Sequence, residues 1–294
     1  MKSGFVAVVG RANAGKSTLV NVIVGEKVAI VSPKPQTTRD RITAVYNGKN
    51  SQIAFVDTPG LYKADSLLNS VMQKTASDAV SDVDAVLFVI DAHNGLSDAD
   101  RALLKKYASA GVPLVVALAK IDIMPESLLI SELKELDEEK ADVVPVSARK
   151  NRNIKELIKV IESKLPDGEK LFDDNTISDR SERFMAAEIM REKILLKFDK
   201  EIPHGVAVIV TRFAPRPDGN VFEVCLDVIC EKSNHKAILI GKGGNAIKEA
   251  SSFARTEMEK LLGKKVFLTV YVKVKKDWRN SAGLIKEFGY GATD

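Results

Sequence analysis

Two cysteines, Cys225 and Cys230, are all the chain carries. They stand five residues apart in an alternating stretch, hence on opposite faces of a strand, which disfavours a disulfide and a shared metal site. They read as reduced, partly buried thiols. Histidine is almost as scarce: His93, His204 and His235 are scattered, and none reads as a ligand or general base. Long apolar runs are missing too, since stretches such as AVLFVI at 85–90 are far too short to span a bilayer. The N-terminus, MKSGFVAVVG, enters a strand-like run with no cleavage site, which argues against a signal peptide. Low-complexity tracts and fixed-period repeats are absent as well. What remains at 294 residues is a globular chain of two ordinary domains, expected in the cytoplasm.

The net charge of +4 hides a division. Residues 1–170 carry +1, residues 171–231 carry −4, and residues 232–294 carry +7. The last block has the sign that suits a polyanion, although such a run is commonly a solvated face.

Up to about residue 165, apolar strands alternate with amphipathic segments. The runs are FVAVVG, QIAFVDTPG, AVLFVIDA, PLVVALAKID and DVVPVSAR, four of them continuous enough for strands buried on both faces. In NIKELIKVIESKL, Ile154, Leu157, Ile158, Ile161 and Leu165 recur at helical spacing. The alternation predicts an α/β domain with a mostly parallel sheet, whose ligands sit beyond the carboxyl ends of the strands. Residues 165–181 are polar, acidic and without periodicity, and read as a linker. Beyond them come a helix near 182–200, two strands, two short helices near 235–262 and a last strand, VFLTVYVKV. That α-β-β-α-α-β order predicts a separate α+β domain.

GRANAGKS at 10–17 follows a strand, precedes an apolar helix and fits G-x-x-x-x-G-K-[ST]. Gly10 and Gly15 allow a tight path that turns backbone N–H groups onto phosphates, and the helix start adds its positive end. The predicted nucleotide-contact residues here are Gly10, Arg11, Ala12, Asn13, Ala14, Gly15, Lys16, Ser17 and Thr18. Lys16 should reach the β- and γ-phosphates, and the Ser17 hydroxyl should bind Mg²⁺. In DTPG, Asp57, Thr58, Pro59 and Gly60 end a strand, so that the Asp57 carboxylate can serve the Mg²⁺ shell and the Gly60 N–H the γ-phosphate. The loop PQTTRD at 35–40 offers Thr38 as the first choice for a further Mg²⁺ hydroxyl and Thr37 as the second. Lys16, Ser17, Thr38, Asp57 and Gly60 are therefore the candidate catalytic group, and Ser17, Thr38 and Asp57 the metal group.

ALAKIDIM at 117–124 places Lys120 and Asp122 after a strand, where a guanine reader belongs. A carboxylate at Asp122 accepts from guanine N1–H and the 2-amino group, whereas adenine offers an acceptor and no amino group there. The Lys120 stem can lie along the base. Ser147, Ala148 and Arg149 follow the next strand and can donate a backbone N–H to the guanine carbonyl. Together with Ala119 and Ile121 they complete the predicted base site. Four motifs in this order predict a GTP-hydrolysing protein and oppose an ATPase or kinase. Ala119 occupies the place of an expected asparagine. Losing a neutral hydrogen bond is worth about 0.5–1.5 kcal/mol, less than the charged Asp122 pair, so affinity should fall and specificity survive.

From GRANAGKST and PQTTR through DTPGL to IGKGG and the terminal WRN…LIKEFGY, the chain closely resembles the Era family of bacterial Ras-like GTPases. The resemblance implies a P-loop GTPase domain over 1–166, a linker over 167–181 and a type II KH domain with a basic tail over 182–294. It also implies GTP or GDP as ligand, Mg²⁺ as cofactor and a switch role in 30S subunit assembly. The partner would be small-subunit ribosomal RNA near its 3′ end, met by a monomer with peripheral contact to the inner membrane. Ala14 and Ala119 depart from the family's valine and asparagine. Leu61 follows DTPG where Ras-type enzymes carry a water-orienting glutamine, so hydrolysis should be slow. Some relatives use a potassium ion near the phosphate-loop asparagine, here Asn13.

Within that frame GKGG at 241–244 is a G-x-x-G loop that clamps the backbone of about four nucleotides. Ile240, Gly241, Lys242, Gly243, Gly244 and Lys248 form the predicted RNA site, with Ile238 and Ile247 lining the groove. Lys273, Lys275, Lys276 and Arg279 extend the cationic track. Trp278 can stack on a base, but packing on its own helix is the favoured reading. The rival reading is an RNA-binding assembly chaperone with a decayed nucleotide site, of which Ala119 and Leu61 would be symptoms. Lys16, Ser17, Asp57 and Asp122 oppose it.

Overall fold

The structure, a computed structural model, describes residues 1–60, 65–109, 111–138, 142–217 and 219–291, with Glu126, Asp137 and Glu138 by backbone alone. Its contacts divide into two units. The first comprises Met1–Ala29, Thr38–Lys63 and Met72–Asp179, the second Ile30–Thr37, Ala64–Val71 and Arg180–Asp294.

The elements of the nucleotide-motif half run β1 (Lys2–Val9), α1 (Lys16–Val24), β2 (Ile42–Asn47), β3 (Ser51–Asp57) and α2 (Leu67–Asp78). They continue with β4 (Ala85–Asp91), α3 (Asp98–Ala108), β5 (Leu114–Ala119), α4 (Glu126–Glu138), β6 (Asp142–Val146) and α5 (Ile154–Lys164). One six-stranded sheet results, ordered β2-β3-β1-β4-β5-β6. Every pairing is parallel except β2 with β3. The continuous apolar runs are inside on both faces, as strands carrying helices on either side require. Leu19, Val20 and Ile23 of α1 and Leu157 and Ile161 of α5 pack on Val8, Phe55, Leu87 and Ala117. On the other face, Leu104 and Tyr107 of α3 and Leu136 of α4 pack on Ala7, Phe88, Val116 and Leu118.

β2 was not among the apolar runs of the sequence; it is the antiparallel strand that makes the sheet mixed. The segment read as a linker runs along it. Ser178 bridges to Ala44, the Val45 N–H donates to the Ile177 carbonyl at 2.8 Å, and the Thr43 N–H donates to Asp179 at 3.0 Å. The wholly buried Gln52 amide accepts from the Leu171 and Phe172 N–H groups and donates to the Phe172 carbonyl. Residues 171–179 thus dress an edge strand whose free N–H and C=O groups would otherwise invite pairing with another chain.

The second unit contains α6 (Glu182–Lys197), β7 (Ala207–Pro215), β8 (Val221–Cys230), α7 (Ser233–Ile240), α8 (Asn245–Leu262), β9 (Lys265–Val274) and α9 (Ala282–Glu287). Its sheet runs β7-β8-β9, with β8 antiparallel to β7 and parallel to β9. The Ser181 hydroxyl caps α6 by accepting from the Phe184 N–H. Of the two helices expected to be short, α8 has 18 residues, and it buries Ala250, Ala254 and Met258 one turn apart. Among the described residues no helix is long and apolar enough to cross a membrane. Both cysteines are free thiols.

Trp278 is wholly buried: its indole N–H donates to the Gly205 carbonyl at 2.9 Å, and its ring stacks on Tyr290. The residue is thus packed, but on Gly205 and Tyr290 rather than on its own short helical turn. Trp278→Ala is expected to cost about 3–5 kcal/mol, read as a lower urea midpoint with tryptophan-independent detection of the second unit by circular dichroism.

Candidate nucleotide and RNA sites

The phosphate loop leaves β1 at Val9 and enters α1 at Lys16. Its path needs left-handed backbone at Gly10 (φ +146°), Asn13 (φ +62°) and Gly15 (φ +105°). A Cβ on Gly10 would also collide with the Val89 carbonyl oxygen. Lys16 is buried, and its Nζ donates to the Gly10 and Arg11 carbonyls, each at 3.1 Å. Burial pulls its ammonium below the ordinary lysine range, while Asp57 pulls it back up.

Asp57 ends β3 with no exposure at all. Its Oδ2 accepts from the Ser17 hydroxyl at 2.6 Å, and the Ser17 and Thr38 hydroxyls lie 2.9 Å apart. Oδ1 is buried with no hydrogen-bond partner. Burial pushes the Asp57 carboxyl above the usual carboxylate range; Lys16 and the Ser17 and Thr38 hydroxyls oppose that shift. Two hydroxyls and a carboxylate with a spare oxygen are the hard donor set that suits Mg²⁺. The Thr58 hydroxyl donates to the Val8 carbonyl at 2.9 Å, which fixes the DTPG turn, and Pro59 and Gly60 are buried behind it. Leu61 lies outside the described residues.

Three predicted side chains are engaged elsewhere. The Thr37 hydroxyl donates to the Lys34 carbonyl at 2.7 Å, so Thr38 alone of the threonine pair joins Ser17 and Asp57. Arg11 turns to the start of α3, donating to Ser97 at 2.9 Å and Asp100 at 3.3 Å, because that helix's capping box already gathers a carboxylate there. Only its main chain faces Lys16. Ile121 is buried in the α3–α4 core and offers backbone alone. Ala12, Ala14 and Thr18 likewise have no polar side-chain contact described in the loop.

At the end of β5, Lys120 adopts left-handed backbone (φ +66°), and its Nζ donates to the Asn13 carbonyl at 2.6 Å and to Asp91 at 2.7 Å. Its Cε would lie 3.9 Å from a Cβ on Gly15, so the stem runs beside the phosphate loop. Asp91, which the motif reading passed over, ends β4 in register with Ala119. Its signal was there, since FVID closes a buried run as AFVD does. Asp122 Oδ1 accepts from the Ser147 hydroxyl at 2.6 Å, which orients the carboxylate. The Ser147 N–H donates to the Arg152 carbonyl, so any main-chain donor from this turn must come from Ala148 or Arg149. Ala119 is 6% exposed within the apolar cluster under α1 and α5.

In the second unit, α7 ends at Ile240 and α8 begins at Asn245, with GKGG between. Gly241, Gly243 and Gly244 all have positive φ, and a Cβ on Gly241 would stand 2.6 Å from the Ala246 Cβ. Gly243 and Gly244 have open space where a side chain would be. Lys242 and Lys248 are exposed and Ile240 is half-buried, while Ile238 is 49% exposed and Ile247 packs partly on the core. The cationic track is shorter than predicted. Lys273 is bound to Asp227 of β8 at 2.6 Å, and Arg279 to Glu231, the residue just past β8, at 2.8 Å. Lys275, whose N–H continues the strand pairing to the Cys230 carbonyl, and Lys276 keep exposed side chains.

Residues 5–120 match the model of the 50S ribosome-binding GTPases, and residues 201–279 match that of KH domains. The chain is 44% identical over 292 residues to the GTPase Era of Alkaliphilus metalliredigens, covering 98% of this chain and 99% of the relative. It is likewise 44% identical to the GTPase Era of Clostridioides difficile, with 98% of each covered. Among solved structures it superposes on an Aquifex aeolicus Era variant bound to GDP.AlF4- with a TM-score of 0.94, at 38% identity over 99% of both chains. It superposes on Era in complex with MgGDPNP and nucleotides 1506–1542 of 16S ribosomal RNA with a TM-score of 0.95, at 39% identity over 99% of both. A P-loop GTPase fold followed by a KH domain, matched over its whole length by such relatives, is decisive: the chain belongs to the Era family of GTPases.

Proposed function

We propose that this protein hydrolyses GTP at the ends of β1, β3 and β5 and that the nucleotide state governs its hold on small-subunit ribosomal RNA. The observation that carries the nucleotide reading is the Ser17–Thr38–Asp57 cluster around a buried, unpartnered carboxylate oxygen. When bound there, Mg²⁺ neutralises charge on the β- and γ-phosphates. Lys16 exchanges its two loop carbonyls for phosphate oxygens, and the loop N–H groups hold the remainder. The Gly60 N–H faces the γ-phosphate. Asp122, oriented by Ser147, reads the guanine N1–H and 2-amino groups, and the Lys120 stem flanks the base. Water attacks the γ-phosphorus, the bond to the β-phosphate oxygen breaks, and GDP and phosphate leave. Leucine at 61 has no group to orient that water, so turnover is slow; a potassium ion near Asn13 would be the means of speeding it.

The RNA reading rests on the glycine loop between α7 and α8, which allows close approach of a phosphate backbone. Lys242, Lys248, Lys275 and Lys276 supply its exposed charge, and the related Era structure holds 16S nucleotides. The protein acts in small-subunit assembly, as a cytoplasmic monomer with peripheral membrane contact. Titrating labelled GTP, GDP and ATP with and without Mg²⁺ tests the nucleotide reading: guanine preference and Mg²⁺-dependent tightening of GTP are expected, and equal ATP binding would sink it.

Lys16→Ala is expected to abolish productive GTP binding in a folded protein, because the phosphates lose their main side-chain charge. Unchanged GTP affinity by calorimetry would remove the phosphate-loop assignment.

Replacing Gly243 and Gly244 with aspartate is expected to eliminate RNA binding and leave GTP binding intact, since bulk and negative charge enter the loop. Neutralising Lys275 and Lys276 should weaken RNA binding modestly and flatten its salt dependence. A salt series that finds parent affinity in the aspartate variant refutes the loop's role.

Ala119→Asn is expected to tighten GDP and GTP binding about two- to tenfold, the equivalent of one neutral hydrogen bond of about 0.5–1.5 kcal/mol. Asp122→Asn should shift preference from guanine toward xanthine. Calorimetry at equal Mg²⁺ reads both, and an Ala119→Asn affinity at or below the parent's would show that some other donor already fills the gap.

A further inference from the structure

Helix α6 carries three buried charged residues at i, i+3 and i+4, Glu188, Arg191 and Glu192, opposite the face that packs Ala186, Ile189, Met190 and Ile194 into the core. Buried charges without specific partners are costly, so this stripe demands an account. Its partner is the segment Ile30–Thr37, which belongs to the same unit. The Val31 N–H donates to Glu192 at 2.9 Å. Lys34 donates to the Phe198 carbonyl and to Asp199 at 2.8 Å. Arg191, with a side chain 1% exposed, donates from Nη1 to the Gln36 carbonyl at 3.3 Å and from Nη2 to the Thr37 carbonyl. Its Nε donates to Glu188 at 2.7 Å, which fixes the plane of the guanidinium. Gln36 has left-handed backbone (φ +61°), and the turn brings two successive carbonyls onto one rigid fork.

The residue after Thr37 is Thr38, whose hydroxyl lies beside Ser17. We propose that Arg191 is a positioning residue for the GTPase reaction: by fixing the Gln36 and Thr37 carbonyls it sets where Thr38 presents its hydroxyl to the metal. Coupling of this kind is reciprocal, so Mg²⁺ and GTP that draw on Thr38 act back on Arg191 and on α6. Lysine cannot replace the fork, because a single ammonium has no fixed pair of coplanar donors for two carbonyls. The proposal rests on the reading of Thr38 as a metal ligand, and its test separates the two.

The experiment uses the full chain as parent, Arg191→Lys, the neutral double variant Glu188→Gln with Arg191→Gln, and Thr38→Ala as reference. Melting temperature, GDP affinity, the Mg²⁺ dependence of GTP binding and single-turnover hydrolysis are measured on each. Arg191→Lys retains the ion pair to Glu188 and is expected to keep the parent's melting temperature and GDP affinity. It should need at least about fivefold more Mg²⁺ to half-saturate GTP binding, and hydrolyse correspondingly slower. The double variant, which leaves no unpaired buried charge, should show the same selective loss if the lysine variant does not fold. Parent Mg²⁺ dependence and hydrolysis in a folded Arg191 variant, with Thr38→Ala impaired, would overturn the proposal. So would equal loss of GDP affinity, GTP affinity and melting temperature, the pattern of a merely structural residue. Unimpaired Thr38→Ala would instead overturn the metal reading beneath it.

Discussion

Two opposite charges, Lys16 at the start of α1 and Asp57 at the end of β3, are buried, and the nucleotide end of the first unit is arranged around them. Burial disfavours the charged form of each, and neither is neutralised by a direct bond to the other. Lys16 rests on loop carbonyls, Asp57 on the Ser17 hydroxyl, and one Asp57 oxygen has no partner. A ligand that brings negative charge to Lys16 and a cation to Asp57 relieves both at once. The rigid elements exist to hold this unsatisfied arrangement: Thr58 ties the strand end to Val8, and Gly10 passes under the Val89 carbonyl where no side chain fits. The site is preorganised because its surroundings are packed too tightly to collapse onto it.

The glycine loop of the second unit follows the opposite logic. Gly241 is a packing necessity, since Ala246 fills the space of its Cβ, whereas Gly243 and Gly244 face open space and are required only by their backbone conformation. The open pair can accept a phosphate backbone; the closed glycine lets the end of α7 approach Ala246 of α8. Charge is distributed in the same economical manner. Lys273 is held by Asp227 in β8 and Arg279 by Glu231 just past it, while Lys275 and Lys276 just past β9 stay exposed, so the positive surface is narrower than the +7 block suggests.

Contiguous features were legible in the sequence. Five apolar strands, the phosphate loop, DTPG, the Lys120–Asp122 pair and the α-β-β-α-α-β order all leave local patterns, because each depends on residues near one another in the chain. β2 was not, since its burial comes from β3 beside it and the 171–179 segment across it, neither of which its own periodicity records. Thr38 is already the first choice over Thr37, but the reason the structure gives, a Thr37 hydroxyl turned onto the Lys34 carbonyl beside the left-handed Gln36, leaves no local pattern in the sequence. Arg191 lay further still out of view. In EIMREKILL its charge reads as a solvated helix face, and only the distant segment Ile30–Thr37 makes it interior.

Ala119 shows how a departure from a motif can be absorbed. An asparagine at that place serves two ends, the purine and the phosphate loop. Here the loop end is already served, because Lys120 bridges the Asn13 carbonyl and Asp91 across three adjacent structural elements. Asp91 is paired with Ala119 itself in the β4–β5 register, so the carboxylate that anchors Lys120 occupies the neighbourhood an asparagine amide would have shared. Alanine then packs into the apolar cluster at no polar cost, and what is lost is confined to a single contact with the base. Discrimination against adenine does not depend on that contact. In the base site proposed above it follows from the Asp122 carboxylate, which the Ser147 hydroxyl holds in place.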